Sequence, residues 1–213
     1  METKKYRLTD ETIQVDGHTL RRIEALKNFS NAYKGDKGGF VESEENLSHD
    51  GNCWVCDNAK VFSNAMVSGD ALVFSNAKVY DKATVFGEAL VFGNAEVYGN
   101  AEVYGNARIW GNASIYGNAK VCGYARVHGD AKVHGDAKVA DTSDYIVFKN
   151  WWSSGRYFTW TRSNNMWSVG CFYGTGEGLI AKAYKDSELS GREYERVVKY
   201  VESILKDNEN DKR

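Results

Sequence analysis

The 213-residue chain has a formal charge of −2 and a sequence pI near 6.1, which argues against a general binder of nucleic acid polymers, since such proteins are usually basic. It contains no apolar run long enough for a membrane span and no signal-peptide pattern at its start, so we expect a cytoplasmic protein. Four cysteines in this setting predict free thiols, and proline is absent, which suits a chain that needs its backbone amides for sheet ladders.

Residues 1–50 are not repetitive and predict an N-terminal β cap. The segments 5–15 and 19–25 alternate loosely between apolar and polar residues, and Asp16-Gly17 between them is a hairpin signal. Repeat proteins need a terminal unit that covers the first repeat, because an open sheet edge pairs with other chains. We therefore expect this hairpin to cover the start of the region that follows.

Residues 51–140 repeat every six positions. A valine recurs at every sixth position from Val55 to Val139, with isoleucine at 109 and 115, and alanine stands two positions earlier at every step except Cys53. Glycine, asparagine and similar turn residues fill the gaps. A hexapeptide period predicts a parallel β-helix in which the valine and alanine side chains point inward, since alternate strand residues face the same side.

Residues 141–213 change character. Segments 145–152, 157–162 and 166–173 predict three short aromatic strands. Thr175 can cap a helix through about Lys185, and Ser190 with Glu193 forms a capping box for a second helix with one apolar stripe. The predicted module is a small β-meander with two helices.

The repeats resemble the hexapeptide-repeat proteins, which implies a left-handed parallel β-helix with three hexads per coil and therefore about five coils here. The whole chain looks like a phage- and prophage-encoded group of these proteins, often labelled transferase or polymer-forming cytoskeletal. The resemblance is carried by residues 34–47 (KGDKGGFVESEENL), 51–59 (GNCWVCDNA) and 170–175 (GCFYGT), together with the repeats. Together with the flanking units, it predicts a mostly β protein.

With eighteen residues per coil, outward positions align in columns, and one face begins with a contiguous apolar patch. We expect either the flanking units or a second subunit to cover it, because soluble proteins rarely expose such a patch. The resemblance makes a homotrimer the favoured oligomer. The candidate interface residues are Trp54, Leu72, Phe74, Leu90, Phe92 and Trp110.

Two histidines in the coils are the candidates for catalysis. Many hexapeptide-repeat proteins are acyltransferases with a histidine base, which here implies His128 or His134. The family also includes zinc enzymes with three histidine ligands, but these two lie on different faces, so we predict neither a metal site nor a cofactor. The repeats contain no inserted loop, and no phosphate-binding loop is present.

The C-terminal aromatics interleave with arginines, a combination that suits stacking on a ring and pairing with a phosphate. We expect Arg156, Trp160, Arg162 and Trp167 to contact a ligand, although packing in the module's own core is the alternative for the aromatics. The sequence thus favours a non-enzymatic binding or scaffold protein. If it is phage-encoded, sequestering a small nucleotide-type ligand or blocking a host protein would counteract host defence. An acyl-CoA-dependent acyltransferase with a histidine base is the alternative.

Overall fold

The computed structural model describes residues 4–29 and 32–210 and confirms the predicted fold class: a β-solenoid with an N-terminal hairpin and a C-terminal sheet carrying two helices. The N-terminal strands are β1 (Tyr6–Val15), β2 (His18–Ala25) and β3 (Lys37–Val41). Asp16 and Gly17 have φ of 50° and 88°, so both turn residues of the hairpin adopt the left-handed region that Asp-Gly favours.

Fifteen two-residue strands build the solenoid. They are β4 (Trp54–Val55), β5 (Lys60–Val61), β6 (Met66–Val67), β7 (Leu72–Val73), β8 (Lys78–Val79), β9 (Thr84–Val85), β10 (Leu90–Val91), β11 (Glu96–Val97), β12 (Glu102–Val103), β13 (Arg108–Ile109), β14 (Ser114–Ile115), β15 (Lys120–Val121), β16 (Arg126–Val127), β17 (Lys132–Val133) and β18 (Lys138–Val139).

Every third strand pairs in parallel, which gives three sheets around one core. The first sheet has the order β4-β7-β10-β13-β16 and the third has β6-β9-β12-β15-β18. The second, β5-β8-β11-β14-β17, continues through β3 into the hairpin β1-β2. From Val55 to Val139 the valines, isoleucines and alanines of the repeat are almost completely buried, as the two-residue period of a strand requires.

The solenoid has about six turns, one more than the strict repeat predicts. Val41 pairs in parallel with Val61, and Leu47 bridges Val67, so residues before the repeats begin an additional coil. This coil escapes the repeat count because eight positions, not six, separate Leu47 from Val55. Tyr6 covers the open end, and its hydroxyl donates to the Leu47 carbonyl at 2.7 Å.

The C-terminal unit contains one strand more than predicted: β19 (Tyr145–Lys149), β20 (Tyr157–Thr161), β21 (Met166–Val169) and β22 (Phe172–Gly174) form an antiparallel sheet in chain order. The expected third strand is divided because Gly170, with φ of 58°, turns the chain back at Cys171. Two 3-10 turns, Glu44–Asn46 and Thr142–Asp144, precede the first complete coil and this sheet.

Helices α1 (Gly176–Asp186) and α2 (Glu188–Asn210) pack on one face of this sheet. Thr175 caps α1 as predicted, since its hydroxyl accepts from the Gly178 amide. The second helix begins two residues earlier than the predicted cap, because Ser187 rather than Ser190 provides the capping hydroxyl, which accepts from the Ser190 amide at 3.1 Å.

The other face of the C-terminal sheet closes the end of the solenoid. The Thr159 hydroxyl accepts a hydrogen bond from the backbone amide of Lys132 at 2.9 Å, and the Ser163 hydroxyl accepts from that of Lys138 at 2.7 Å. These are amides of the last coil that a further coil would otherwise bind. Side chains of the C-terminal unit therefore replace the next strand.

Candidate binding site at the C-terminal end of the solenoid

Ladders of stacked rings run along two faces of the solenoid, and the third face carries one stacked pair, Phe86 and Tyr104. The first ladder consists of Phe74, Phe92, Trp110 and His128, and the second of Phe62, Tyr80, Tyr98, Tyr116 and His134. Neighbouring rings are nearly parallel, with centroids 4.4–5.7 Å apart, because each ring follows the inward residue of its strand and strands stack in register. Both ladders end in a histidine of the last coil.

His134 is enclosed. Its ring lies between Tyr116, at a centroid distance of 4.4 Å, and Tyr173 of β22, at 4.1 Å. Its Nε2 atom is buried without a hydrogen-bond partner among the described residues. Burial, with a smaller effect of the Lys132 charge, lowers the pKa of His134 from 6.5 to about 4. The imidazole is therefore neutral at pH 7, and Nε2 cannot reach a substrate in this arrangement.

His128 is exposed. One face of its ring stacks on Trp110 at 4.6 Å, and the ring borders an open cleft of about 450 Å³. We call this the ring cleft, and its remaining lining comes from Gly129, Asp130, Thr142, Tyr145, Ile146, Val147 and Tyr157. The Tyr145 hydroxyl donates to the Arg126 carbonyl at 2.8 Å, which fixes β19 against the last coil.

A second cleft of about 480 Å³ lies next to the first and shares Asp130 and Tyr157 with it. This basic cleft is completed by Lys132, Arg156, Gly170 and Cys171. The side chains of Lys132 and Arg156 form no ion pair with any described residue, so two cations face one carboxylate. Both clefts together form an open groove at the junction of solenoid and C-terminal sheet.

A ladder of side-chain amides ends at Asp130. Asn76 donates to Asn94, Asn94 to Asn112, and Asn112 to the Asp130 carboxylate, at 3.3, 3.2 and 3.1 Å. The chain of donors is polarised toward the carboxylate, which helps to hold Asp130 at the boundary between the clefts. The corner of the solenoid thereby positions one wall of the groove.

Of the four residues expected to contact a ligand, Arg156 lines the basic cleft and is exposed. Arg162 is also exposed but lines neither cleft. Trp160 and Trp167 pair across β20 and β21 and are only 1% and 2% exposed. Both belong to the core between the sheet and the two helices, which is the alternative stated for the aromatics, and neither lines the groove.

Sequence reasoning did not identify Asp130, Lys132, Tyr145 or Tyr157 as groove residues. The alternation of side chains along β20 indicates Tyr157, because its side chain lies on the face opposite to that of Phe158 and Trp160. Asp130 and Lys132 lie two residues apart in the last coil, and Tyr145 reaches this coil only through the packing of the C-terminal sheet.

The predicted interface residues divide into two groups. Trp54 is 4% exposed because Tyr6 and Phe29 pack against its ring, so the chain's own N-terminal unit covers it and it is unsuited to a subunit contact. The others are half-buried on the first face of the solenoid: Leu72, Phe74, Leu90, Phe92 and Trp110.

Within the described residues, no three histidine, cysteine or acidic side chains come together as a metal site. No helix in this part of the chain has the length and apolar character needed to cross a membrane. Cys53 and Cys122 are buried, Cys56 is partly buried and Cys171 is exposed, all as free thiols.

The stacked parallel strands fit the hexapeptide-repeat fold. No protein-family model matches the chain. A protein of Escherichia coli (strain K12) named "Uncharacterized acetyltransferase YdcK" is 38% identical over 68 residues, which cover 28% of this chain. The matched region spans only about a fifth (21%) of that relative's length. The similarity supports the hexapeptide-repeat assignment of the solenoid.

Proposed function

We propose that the protein is a non-enzymatic binder that holds a small nucleotide-type anion in the groove formed by the ring cleft and the basic cleft. The observation that carries the proposal is the division of chemistry on the two sides of Tyr157. Aromatic and aliphatic side chains, including Tyr145 and Val147, line one side. Lys132 and Arg156 line the other.

This division suits a ligand with a planar ring and an anionic group. Small-molecule sites generally combine apolar walls with a few polar groups that fix orientation. A guanidinium forms paired hydrogen bonds to phosphate, and an ammonium adds a compact positive charge. The Asp130 carboxylate between the clefts repels a phosphate and can accept a hydrogen bond from a sugar hydroxyl or an exocyclic amine.

Isothermal titration calorimetry with AMP tests this proposal. Replacing Arg156 with alanine is expected to weaken binding about tenfold, because one charge-assisted contact is lost. Arg162→Ala is the matched control, since Arg162 is an exposed arginine of the same unit outside both clefts. Undetectable binding by the wild type, or equal losses in both variants, would rule out the proposed site.

The proposed action is sequestration alone, by which a phage-encoded protein would counteract host defence. Binding a small nucleotide-type signal in the groove removes it from solution without turnover. An alternative within the same class is that the protein blocks a host protein. Groove variants that retain biological activity would favour that alternative.

An acyltransferase is the second candidate, and its specific support is the exposed imidazole of His128 in the ring cleft together with the acetyltransferase name of the E. coli relative. A general base requires an orienting partner, and no hydrogen bond of His128 to another described side chain provides one. Thiol release from acetyl-CoA, abolished in His128→Ala and retained in Arg162→Ala, would establish this activity. No turnover with acetyl-CoA and varied acceptors would argue against it.

The half-buried residues Leu90, Phe92 and Trp110 on the first face support a further proposal, that three copies associate through this face. Light scattering after size exclusion tests it. A trimer that dissociates in Phe92→Glu would support the interface, and a wild-type monomer at high concentration would rule it out.

A further inference from the structure

The two ring ladders differ at their C-terminal ends. His128 and His134 belong to the same coil and occupy equivalent outward positions, each directly after a buried valine. Each stacks on the ring of the preceding coil, Trp110 at 4.6 Å and Tyr116 at 4.4 Å. At the end of the second ladder, the ring of Tyr173 covers the outer side of His134 at a centroid distance of 4.1 Å, tilted by 42° to the imidazole.

Beyond His128 the chain supplies no ring at the equivalent stacking distance among the described residues. The ring cleft lies at this end of the first ladder, and His128 forms part of its lining. We infer that the aromatic ring of a bound ligand stacks on His128 and completes the first ladder, as Tyr173 completes the second. The inference rests on the proposed function and specifies its ligand class: a heteroaromatic ring joined to an anionic group, as in a nucleoside phosphate.

The walls of the ring cleft suit a planar ring. Tyr145, Ile146 and Val147 of β19 lie along one side, and Tyr157 of β20 separates this space from the basic cleft. Tyr145 is fixed by its hydrogen bond to the Arg126 carbonyl, so this wall is preorganised. Aromatic stacking does not select one base, which makes the site selective for rings as a class rather than for one base.

The position of the anion follows from the same arrangement. With the ring on His128, a phosphate that extends past Tyr157 reaches the cleft of Lys132 and Arg156. Ring and anion recognition are thus assigned to different residues on different elements. A ligand that carries the anionic group but lacks the aromatic ring therefore distinguishes the affinity due to anion binding from the affinity due to ring stacking.

AMP and ribose 5-phosphate form the required pair of probes, because they share the sugar phosphate and differ by the base. We expect the wild type to bind AMP about tenfold more tightly than ribose 5-phosphate. His128→Ala should abolish this preference and leave the affinity for ribose 5-phosphate unchanged. His128→Phe should retain the preference, since phenylalanine preserves a stacking face without a titratable nitrogen.

A second measurement reports stacking directly and does not depend on affinity. The imidazole Hε1 resonance of His128, assigned by its loss in His128→Phe, should move upfield on addition of AMP because of the ring current of the base. Ribose 5-phosphate should leave it close to its free position. Thermal melts of the two variants that match the wild type show that the fold is retained.

The outcomes distinguish this inference from the function on which it rests. Equal affinity for AMP and ribose 5-phosphate, with both dependent on Arg156, would overturn ring stacking and leave the anion site intact. An AMP preference that persists in His128→Ala would also overturn it. Failure of both probes to bind would remove the proposed function and this inference together.

Discussion

The enclosed His134 makes a definite prediction about the pH dependence of stability. Its pKa in the folded protein is about 4, against an ordinary value of 6.5, because the ring is packed between Tyr116 and Tyr173. The unfolded chain therefore takes up the proton first as pH falls. The contribution of this residue to stability is complete above about pH 6.5 and is progressively lost between about pH 6.5 and pH 4.

The size of the effect follows from the linkage between protonation and folding. With these two pKa values, the loss between pH 7 and pH 5 is about 2 kcal/mol if the full shift applies. The ring of His134 is only partly buried, so solvent screening reduces the expected loss to about 1 kcal/mol. Urea denaturation at a series of pH values measures this change in the free energy of unfolding.

His134→Phe is the matched variant, because it keeps a ring between Tyr116 and Tyr173 and removes the titrating nitrogens. The variant should gain about 1 kcal/mol relative to the wild type as pH falls from 7 to 5. Other acid-sensitive groups, such as His49, contribute equally to both proteins. A stability difference between the two proteins that is the same at both pH values would refute the argument that burial keeps His134 neutral.

Three further predictions concern the solenoid and its cap. Val97→Thr should lower the free energy of unfolding by about 1–3 kcal/mol, because it buries an unpaired hydroxyl. The control Glu96→Gln, at an outward position of the same strand, should lower it by at most about 1 kcal/mol. Equal effects of the two substitutions in urea denaturation would contradict the inward position of Val97. Trp160→Ala should lower the free energy of unfolding by about 3–5 kcal/mol, and Arg162→Ala should lower it by less than about 0.5 kcal/mol. Similar melting temperatures for the two variants would contradict the core position of Trp160. A chain that ends at Ala140 lacks the side chains that close the last coil, so its exposed strands should pair with those of other copies. Sedimentation velocity measures this association. A monodisperse monomer would show that the exposed strands tolerate solvent.

The solenoid could be predicted from the sequence because its physics is local and repeated. A buried valine and alanine in every hexad, with a turn between hexads, leaves few alternatives to stacked coils. The additional coil at Val41 and Leu47 escaped because the spacing to Val55 is irregular. The regular six-residue spacing thus predicted the buried residues of the repeats, but it did not predict the additional coil that precedes the change of period.

The groove could not be predicted in the same way, because it exists only where Tyr157 of the C-terminal sheet meets Asp130 of the last coil. The composition of the C-terminal unit, rich in tryptophan and arginine, does not reveal which face of its sheet is exposed. Trp160 and Trp167 lie on the helix-packed face, whereas Tyr157 lies on the other. The sequence pattern alone therefore could not show that both tryptophans pack against the helices.

The nearest-neighbour character of the coils has a consequence for the evolution of this protein. Each coil contacts only the coils directly above and below it, and each cap contacts only the coils at its own end. Deleting or duplicating eighteen residues in the middle, such as 79–96, would change the distance between the ends by about 4.8 Å per coil and leave both caps unaltered. The length of the protein is therefore free to drift by unequal recombination between repeats while the groove stays intact.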